Sequence, residues 1–281
     1  MTTENVVIPA TANFIQQGEG LPVVMIHGIA ASLHDWDALI PELVNAGYAC
    51  YALDLLGHGD SPKPASPAYH VEWLFDHFVQ WMTSLRLTEP AILIGHSLGG
   101  YLALEYARRF SARTRGLILV NPLYSPSQLH FLFRRSFSRR NLKGAFVSKI
   151  PVPILRAMVD LTSLIMGRDM QMFHALPEHV RAQTVLDYKR TAPGVYHIPS
   201  TVTDLTEHLP SISVPTLVVW GDRDQTLAPS SFPKLVGAMT RAISKPLRAG
   251  HVPHQSHSKE FNRIVLAFLE NLSNSLLSPN Q

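Results

Sequence analysis

The stretch Gly95-His96-Ser97-Leu98-Gly99-Gly100 decides how this chain folds. It follows Ala91-Ile92-Leu93-Ile94, a short apolar run that predicts a buried parallel strand, and precedes Tyr101 to Arg109, whose pattern predicts a helix. A strand, a tight turn and a helix therefore meet at one serine. The glycines around it carry no Cβ, which lets strand and helix close tightly about Ser97. A serine at the tip of such a turn projects its hydroxyl above the sheet. The helix starting beside it points free backbone N–H groups, that of Leu98 among them, at any oxyanion formed there. Ser97 is thus a candidate nucleophile, and because a lone serine is a weak one, a base and an acid must be sought elsewhere in the chain.

The 281 residues suffice for one large α/β domain with an insertion, and 46% hydrophobic against 16% charged residues describes a chain with a substantial core. A net charge of +3, with no long basic run, argues against nucleic acid as a partner. The single cysteine, Cys50, lies in an apolar run and is expected to be a buried core residue with no disulfide partner. The first residues lack a basic stretch followed by an apolar core, and no run reaches membrane-span length, so a cytoplasmic protein is expected.

Working outward, Val6–Ile8 and Asn13–Gln16 predict a short antiparallel pair, and Pro22–Ile26 predicts a strand ending in the loop His27 to Ser32. Ser32 with Asp35 reads as a capping box for a helix through Trp36, Leu39, Ile40 and Leu43, closed by Gly47. A strand over Tyr48–Leu55 runs into a glycine-punctuated loop, Asp54 to Ser61. A helix is expected from about Val71 to Leu85, and Leu117–Val120 is the next strand, sixth in the count. From Leu123 to Ser211 the alternation stops, and helical spacing of apolar residues predicts a helical cap inserted after that strand. Strand and helix resume with Pro215–Trp220, Ser231–Met239, Ser244–Arg248 and Ser258–Leu272, before a polar, frayed tail from Ser273. The division is a core of residues 1–122 and 212–281 with a cap of 123–211. Strands alternating with helices in this way predict a mostly parallel sheet flanked by helices.

In an open parallel sheet, chemistry sits outside the carboxyl ends of the strands. Four loops there carry distinctive residues: His27-Gly28-Ile29, Ser97, Gly221-Asp222-Arg223-Asp224 and Gly250-His251-Val252-Pro253. A serine, then an acid, then a histidine, each after a parallel strand, resembles the α/β-hydrolase superfamily. The resemblance covers roughly Gly20 to Asn121 and Pro215 to Leu269 and gives out in the cap. It implies an α/β-hydrolase fold with Ser97 as nucleophile, His251 as base and Asp224 as orienting acid, the backbone N–H groups of Ile29 and Leu98 forming the oxyanion hole. His254 and Asp222 are the nearby competitors for base and acid. Asn121 stands where some members of the family place the acid, and an amide cannot stabilise an imidazolium as a carboxylate does. His27, Gly28, Ala30, His96, Tyr124 and Val252 border the same crevice and are expected to contact substrate, with His27 shaping the oxyanion loop and His96 packing.

The resemblance implies two-step acyl transfer on esters of small to medium apolar acyl groups. The serine argues against dehalogenase and epoxide-hydrolase chemistry, which the family performs with aspartate at this turn. Carbon–carbon bond hydrolysis of the meta-cleavage type, cofactor-free haloperoxidase or perhydrolase activity and a non-catalytic ligand receptor are the other readings of the same fold. No cysteine or histidine cluster has metal-ligand spacing and no glycine-rich turn has a nucleotide-binding pattern, so neither metal nor cofactor is expected. The insertion carries eleven Lys and Arg against six Asp and Glu, a net +5 where the rest of the chain is −2. Its densest part, Phe131 to Arg140, mixes aromatics with arginines, as a helix resting weakly on an anionic lipid surface would. Composition says nothing of the oligomeric state.

Overall fold

The computed structural model describes residues 11–129, 147, 149–166 and 176–277. Its strands are β1 Phe14–Gln17, β2 Leu21–Ile26, β3 Tyr48–Leu53, β4 Ala91–His96, β5 Thr114–Val120, β6 Thr216–Gly221 and β7 Ala242–Leu247. They form one sheet in the order β1-β3-β2-β4-β5-β6-β7, in which β1 pairs antiparallel with β3 and all other neighbours are parallel. The helices are α1 Ile40–Asn45, α2 Val71–Ser84, α3 Leu98–Arg109, α4 Val152–Met166, α5 Glu178–Arg190, α6 Phe232–Ala238 and α7 Ser258–Leu277. This is the α/β-hydrolase arrangement that the sequence predicts.

The continuous apolar strands follow from burial on both faces. Val24, Ile26, Leu93, Leu117 and Leu119 pack into one core with α2 and α3, while Val23, Met25, Ile92, Ile94 and Ile118 pack into another with α1 and α7. Side chains alternate faces along a strand, so a strand covered on both sides must be apolar throughout. On α7 the buried residues Phe261, Val265, Leu269 and Leu272 recur at helical spacing and make a single stripe against the sheet. Cys50 is buried in the same core, as expected, and burial pushes its thiol up to about 12.

The sheet order also locates the crevice. From β2 the chain moves outward to β3 and then returns to the other side of β2 to lay down β4. The loops after β2 and β4 therefore diverge at the point where strand order reverses, the position at which open α/β sheets bind ligands.

Several expectations need correcting. The helix expected from Ser32 onward is broken: a 3₁₀ turn, Leu33–Trp36, precedes α1, and Ser32 accepts only from His34 N–H, at 3.4 Å. Asp35 makes no capping box because its carboxylate turns inward to Gln255, whose Nε2–H donates to Oδ1 at 2.8 Å. The tail expected to fray from Ser273 stays helical through Leu277. Val120 ends the fifth of the described strands; the expected strand Val6–Ile8, which makes it sixth in the count, lies outside the described residues, as does the basic stretch Phe131 to Arg140.

Between β5 and β6 the described chain holds α4, α5 and the 3₁₀ segments Pro193–Ser200 and Thr206–Ser211. Helices α4 and α5 pack through Leu155, Val159 and Val185, and are tied at one end by Arg156 and Arg181 bridging Asp160 and Glu178. The segment after α5 is bonded to the sheet domain: Ala192 N–H donates to Gly57 O, Tyr69 N–H to Gly194 O and Leu205 N–H to Tyr124 O, at 2.8, 2.9 and 2.8 Å. Among the described residues no helix is long and apolar enough to cross a membrane.

Candidate active site

Ser97 sits between β4 and α3 with φ 51° and ψ −112°, a backbone conformation that costs a non-glycine residue about 1–3 kcal/mol. Three hydrogen bonds hold it there. Its N–H donates to Val120 O at 2.9 Å, and its carbonyl accepts from Leu123 N–H at 3.0 Å and Tyr101 N–H at 3.2 Å. The turn closes only because its flanks are glycine. A Cβ on Gly99 would stand 2.1 Å from Ile26 O and one on Gly95 2.4 Å from Gly99 O, backbone atoms that cannot move aside.

The structure brings the three sequence-distant residues Ser97, Asp224 and His251 into one hydrogen-bonded chain. His251 Nδ1 lies 2.7 Å from Asp224 Oδ2, and His251 Nε2 lies 3.1 Å from Ser97 Oγ. A carboxylate only accepts, so Nδ1 carries the proton and Nε2 is left to accept from the serine hydroxyl. Asp224 is 5% exposed and fully engaged: Oδ1 accepts from Thr226 N–H at 2.7 Å and Leu227 N–H at 3.0 Å, and Oδ2 accepts also from Asn121 Nδ2 at 2.7 Å. Burial pushes the Asp224 carboxyl up, but the neighbouring His251, the Leu227 N–H and Asn121 outweigh it and hold the group below the usual carboxylate range. Asp222 is exposed and takes no part in this chain.

Asn121 had no role assigned from sequence. In the structure it sits at φ 41° with Nδ2 donating to Asp224 Oδ2 and Oδ1 accepting from Gly221 N–H at 3.3 Å, so it braces the Asp224 carboxylate. The one signal for it in the sequence is its place at a strand end before Pro122.

The loop after β2 lies directly over the serine. A Cβ on Gly28 would meet His96 Nδ1 at 2.8 Å and Ser97 Cβ at 3.4 Å. Leu55 N–H donates to His27 Nε2 at 2.9 Å, which leaves Nδ1–H to donate to Gly28 O at 2.6 Å and fixes the loop's path. Ala30 then takes φ 57°. Among the described residues, the N–H groups of Ile29 and Leu98 find no protein acceptor, which is what an oxyanion site requires.

Three of the residues expected to border substrate have side chains committed to protein partners. His27 is fully buried with both ring nitrogens bonded. His96 is 4% exposed, with Nε2 on His251 O at 3.0 Å. Tyr124 is 5% exposed and its hydroxyl donates to Ser231 O at 3.0 Å. Gly28, Ala30 and Val252 remain on the crevice loops. The competitor His254 is 2% exposed and faces Asp35, whereas His251 is the ring hydrogen bonded to Ser97.

Spacing along the chain also gave no hint that Asp35, His96 and His254 converge. Asp35 Oδ2 stands 3.4 Å from His96 Nδ1 and 3.8 Å from His254 Nε2. Burial drives the His96 ring down to about 4; at Asp35 burial is opposed by His254 and His96, which hold that carboxyl far below the usual range. A further buried acid, Asp187 on α5, hydrogen bonds to Gln183 Nε2 at 2.8 Å and to Ser32 of the loop after β2. Its carboxyl is pushed up to about 6 by burial, with Asp35 adding to the shift.

A chain built in this way has known relatives. A sequence profile of the alpha/beta hydrolase family matches residues 23–264, and the protein belongs to that family. Lipase 3 of Moraxella sp. (strain TA144) is 25% identical over 261 residues, 90% of this chain and 78% of that protein. Among solved structures, a bromoperoxidase from Bacillus anthracis superposes with a TM-score of 0.78 at 23% identity, over 92% of this chain and 94% of that one. A thermophilic esterase from Thermogutta terrifontis gives 0.75 at 24% identity, over 93% of each chain.

Proposed function

We propose that this alpha/beta hydrolase is a serine hydrolase of carboxylic esters with small to medium apolar acyl groups. The observation that carries the reading is the hydrogen-bonded chain from Asp224 Oδ2 through His251 to Ser97 Oγ, at 2.7 and 3.1 Å. As Oγ attacks the ester carbonyl, His251 Nε2 takes the hydroxyl proton, and the Ile29 and Leu98 N–H groups hold the oxyanion. The same nitrogen then gives the proton to the departing alcohol. In the second half-reaction His251 deprotonates a water that attacks the acyl-enzyme, and Ser97 leaves as the alcohol. Asp224 keeps Nδ1 protonated throughout and stabilises the ring when it is cationic.

The segment from 123 to 211 serves in this reading as a cap over the crevice. Asp187 supports that placement, since its bond to Ser32 sets α5 against the oxyanion loop. The experiment is labelling with a fluorophosphonate probe, followed by turnover of p-nitrophenyl esters of graded chain length beside a vinylogous diketone. Labelling at Ser97 with ester turnover is the expected result. Turnover of the diketone alone would move the reading to carbon–carbon bond hydrolysis, and no labelling of a folded protein would refute nucleophilic catalysis by Ser97.

A further inference from the structure

Beside the Ser97 site, three elements bring one buried side chain each to a common point. Asp35 comes from the turn after β2, His96 from the last residue of β4, and His254 from the helical turn Pro253–Ser256 that follows β7. Asp35 Oδ2, His96 Nδ1 and a ring nitrogen of His254 all lie within 4.8 Å of one another. The residues are 7%, 4% and 2% exposed. Asp35 Oδ2, His96 Nδ1 and both nitrogens of His254 have no hydrogen-bond partner, which is unusual for polar atoms so deeply enclosed.

The proton inventory makes this more specific. His96 Nε2 faces a carbonyl oxygen, that of His251, and a carbonyl can only accept, so the proton of the neutral ring is on Nε2 and Nδ1 presents a lone pair. Asp35 Oδ2 presents another. These two atoms stand 3.4 Å apart, and His254 Nε2, 3.8 Å from Asp35 Oδ2, converges on the same point. Three buried ligand atoms that converge in this way are suited to hold a cation.

The outer contacts are those of a metal site. A metal-bound histidine ordinarily donates its second N–H to a carbonyl, and a metal-bound carboxylate is itself hydrogen bonded. Here His96 Nε2 donates to His251 O at 3.0 Å, and the second oxygen of Asp35 accepts from Gln255 at 2.8 Å. Ligand atoms around a tetrahedral ion with bonds of about 2.0–2.2 Å are roughly 3.3–3.6 Å apart. The separations of 3.4 and 3.8 Å to Asp35 Oδ2 are at or within a small side-chain adjustment of that edge.

We propose that Asp35 Oδ2, His96 Nδ1 and His254 Nε2 bind a divalent transition-metal cation of the zinc class. Two imidazoles with one carboxylate suit such an ion, whereas calcium and magnesium require oxygen donors. The ion is a clamp and not the reacting centre. It joins the turn after β2, the strand that ends at the nucleophile and the loop that carries His251, and through His96 it anchors the His251 main chain.

The test uses the full chain produced in zinc-supplemented medium, so that the ion can enter as the protein folds, followed by desalting and metal analysis. One equivalent of zinc is expected, together with a Tm several degrees above that of chelator-stripped protein. Stripped protein refolded with Co²⁺ should show the intense visible absorption of a tetrahedral site. Asp35→Asn and His254→Gln, which conserve volume, should each lose the bound equivalent while retaining the far-UV circular dichroism of the parent. If either variant fails to fold, the zinc content, Tm shift and cobalt spectrum of the parent protein decide the matter. Zinc at only a trace level in the parent protein, or a full equivalent retained in both variants, overturns the proposal, and the trio is then an ordinary buried ion cluster. Fluorophosphonate labelling of Ser97 reads a separate property and can succeed or fail independently.

Discussion

Replacing Asp224 by asparagine tests the proposed chemistry at its least forgiving point. Oδ1 accepts two backbone N–H groups, from Thr226 at 2.7 Å and Leu227 at 3.0 Å, so the amide oxygen of the substituted side chain must occupy that position. The NH₂ group then takes the place of Oδ2, 2.7 Å from His251 Nδ1, and displaces the Asn121 Nδ2 donor that Oδ2 accepts from. An NH₂ group can only donate there, so the imidazole must accept at Nδ1 and carry its proton on Nε2. That nitrogen lies 3.1 Å from Ser97 Oγ and would now offer a hydrogen rather than take one. The base is lost through the wrong tautomer, and the carboxylate that steadies the imidazolium is lost with it. The expected fall in kcat is about 10⁴-fold, or about 5.5 kcal/mol. Asp222→Asn changes an exposed side chain two residues away and should leave kcat within about threefold. The assay is initial-rate hydrolysis of p-nitrophenyl acetate, with a thermal melt of each variant to show that the fold survives. An Asp224→Asn enzyme within tenfold of the parent, or an Asp222→Asn enzyme that is the more impaired, would refute the reasoning.

Ser97→Ala should lower kcat by roughly 10⁴ to 10⁶ with little change in Tm, because the group removed is a reacting hydroxyl rather than packing; ester hydrolysis and a melting curve check both halves. Gly99→Ala places a methyl group 2.1 Å from Ile26 O and should destabilise by about 3 kcal/mol or more, read as a fall in denaturant midpoint; an unchanged midpoint would show that the elbow can relax. Asp187 titrates near 6 in the fold, above its unfolded value, so between about pH 4 and 6 the native state holds more proton than the unfolded chain. Stability should therefore fall as pH rises through that window, by roughly 3 kcal/mol at most. Asp187→Asn should raise Tm at pH 8 and leave it nearly unchanged at pH 4; a variant no more stable than the parent at pH 8 contradicts the buried, strained carboxylate.

What the sequence shows plainly is whatever the local backbone dictates. The doubly buried strands are legible as unbroken apolar runs because both faces of β2, β4 and β5 are covered. The turn at Ser97 is legible because its glycines answer close backbone approaches within a few residues or across one neighbouring strand. Asp224 and His251 are legible for a related reason, since each stands just past a strand end, where chain order alone brings loops together.

Residues whose work is set by a distant partner behave differently. Ser32 and Asp35 have the spacing of a capping box, yet Asp35 is drawn inward by Gln255, 220 positions away, and a local rule has no access to that competitor. His27, His96 and Tyr124 were expected to touch substrate because they border the crevice. Position along the chain does not give their side-chain partners, which are Leu55 N–H, His251 O and Ser231 O. The partners of Asn121 and Asp187 are hidden for the same cause: a polar side chain in the sequence has no assigned function until the fold supplies the group it faces. The consequence for this site is a division of labour. The groups that do the proposed chemistry are marked by their places at strand ends, whereas the groups that hold them, Asn121 on the acid and His96 on the His251 main chain, are defined only by contacts between segments about 100 or more residues apart.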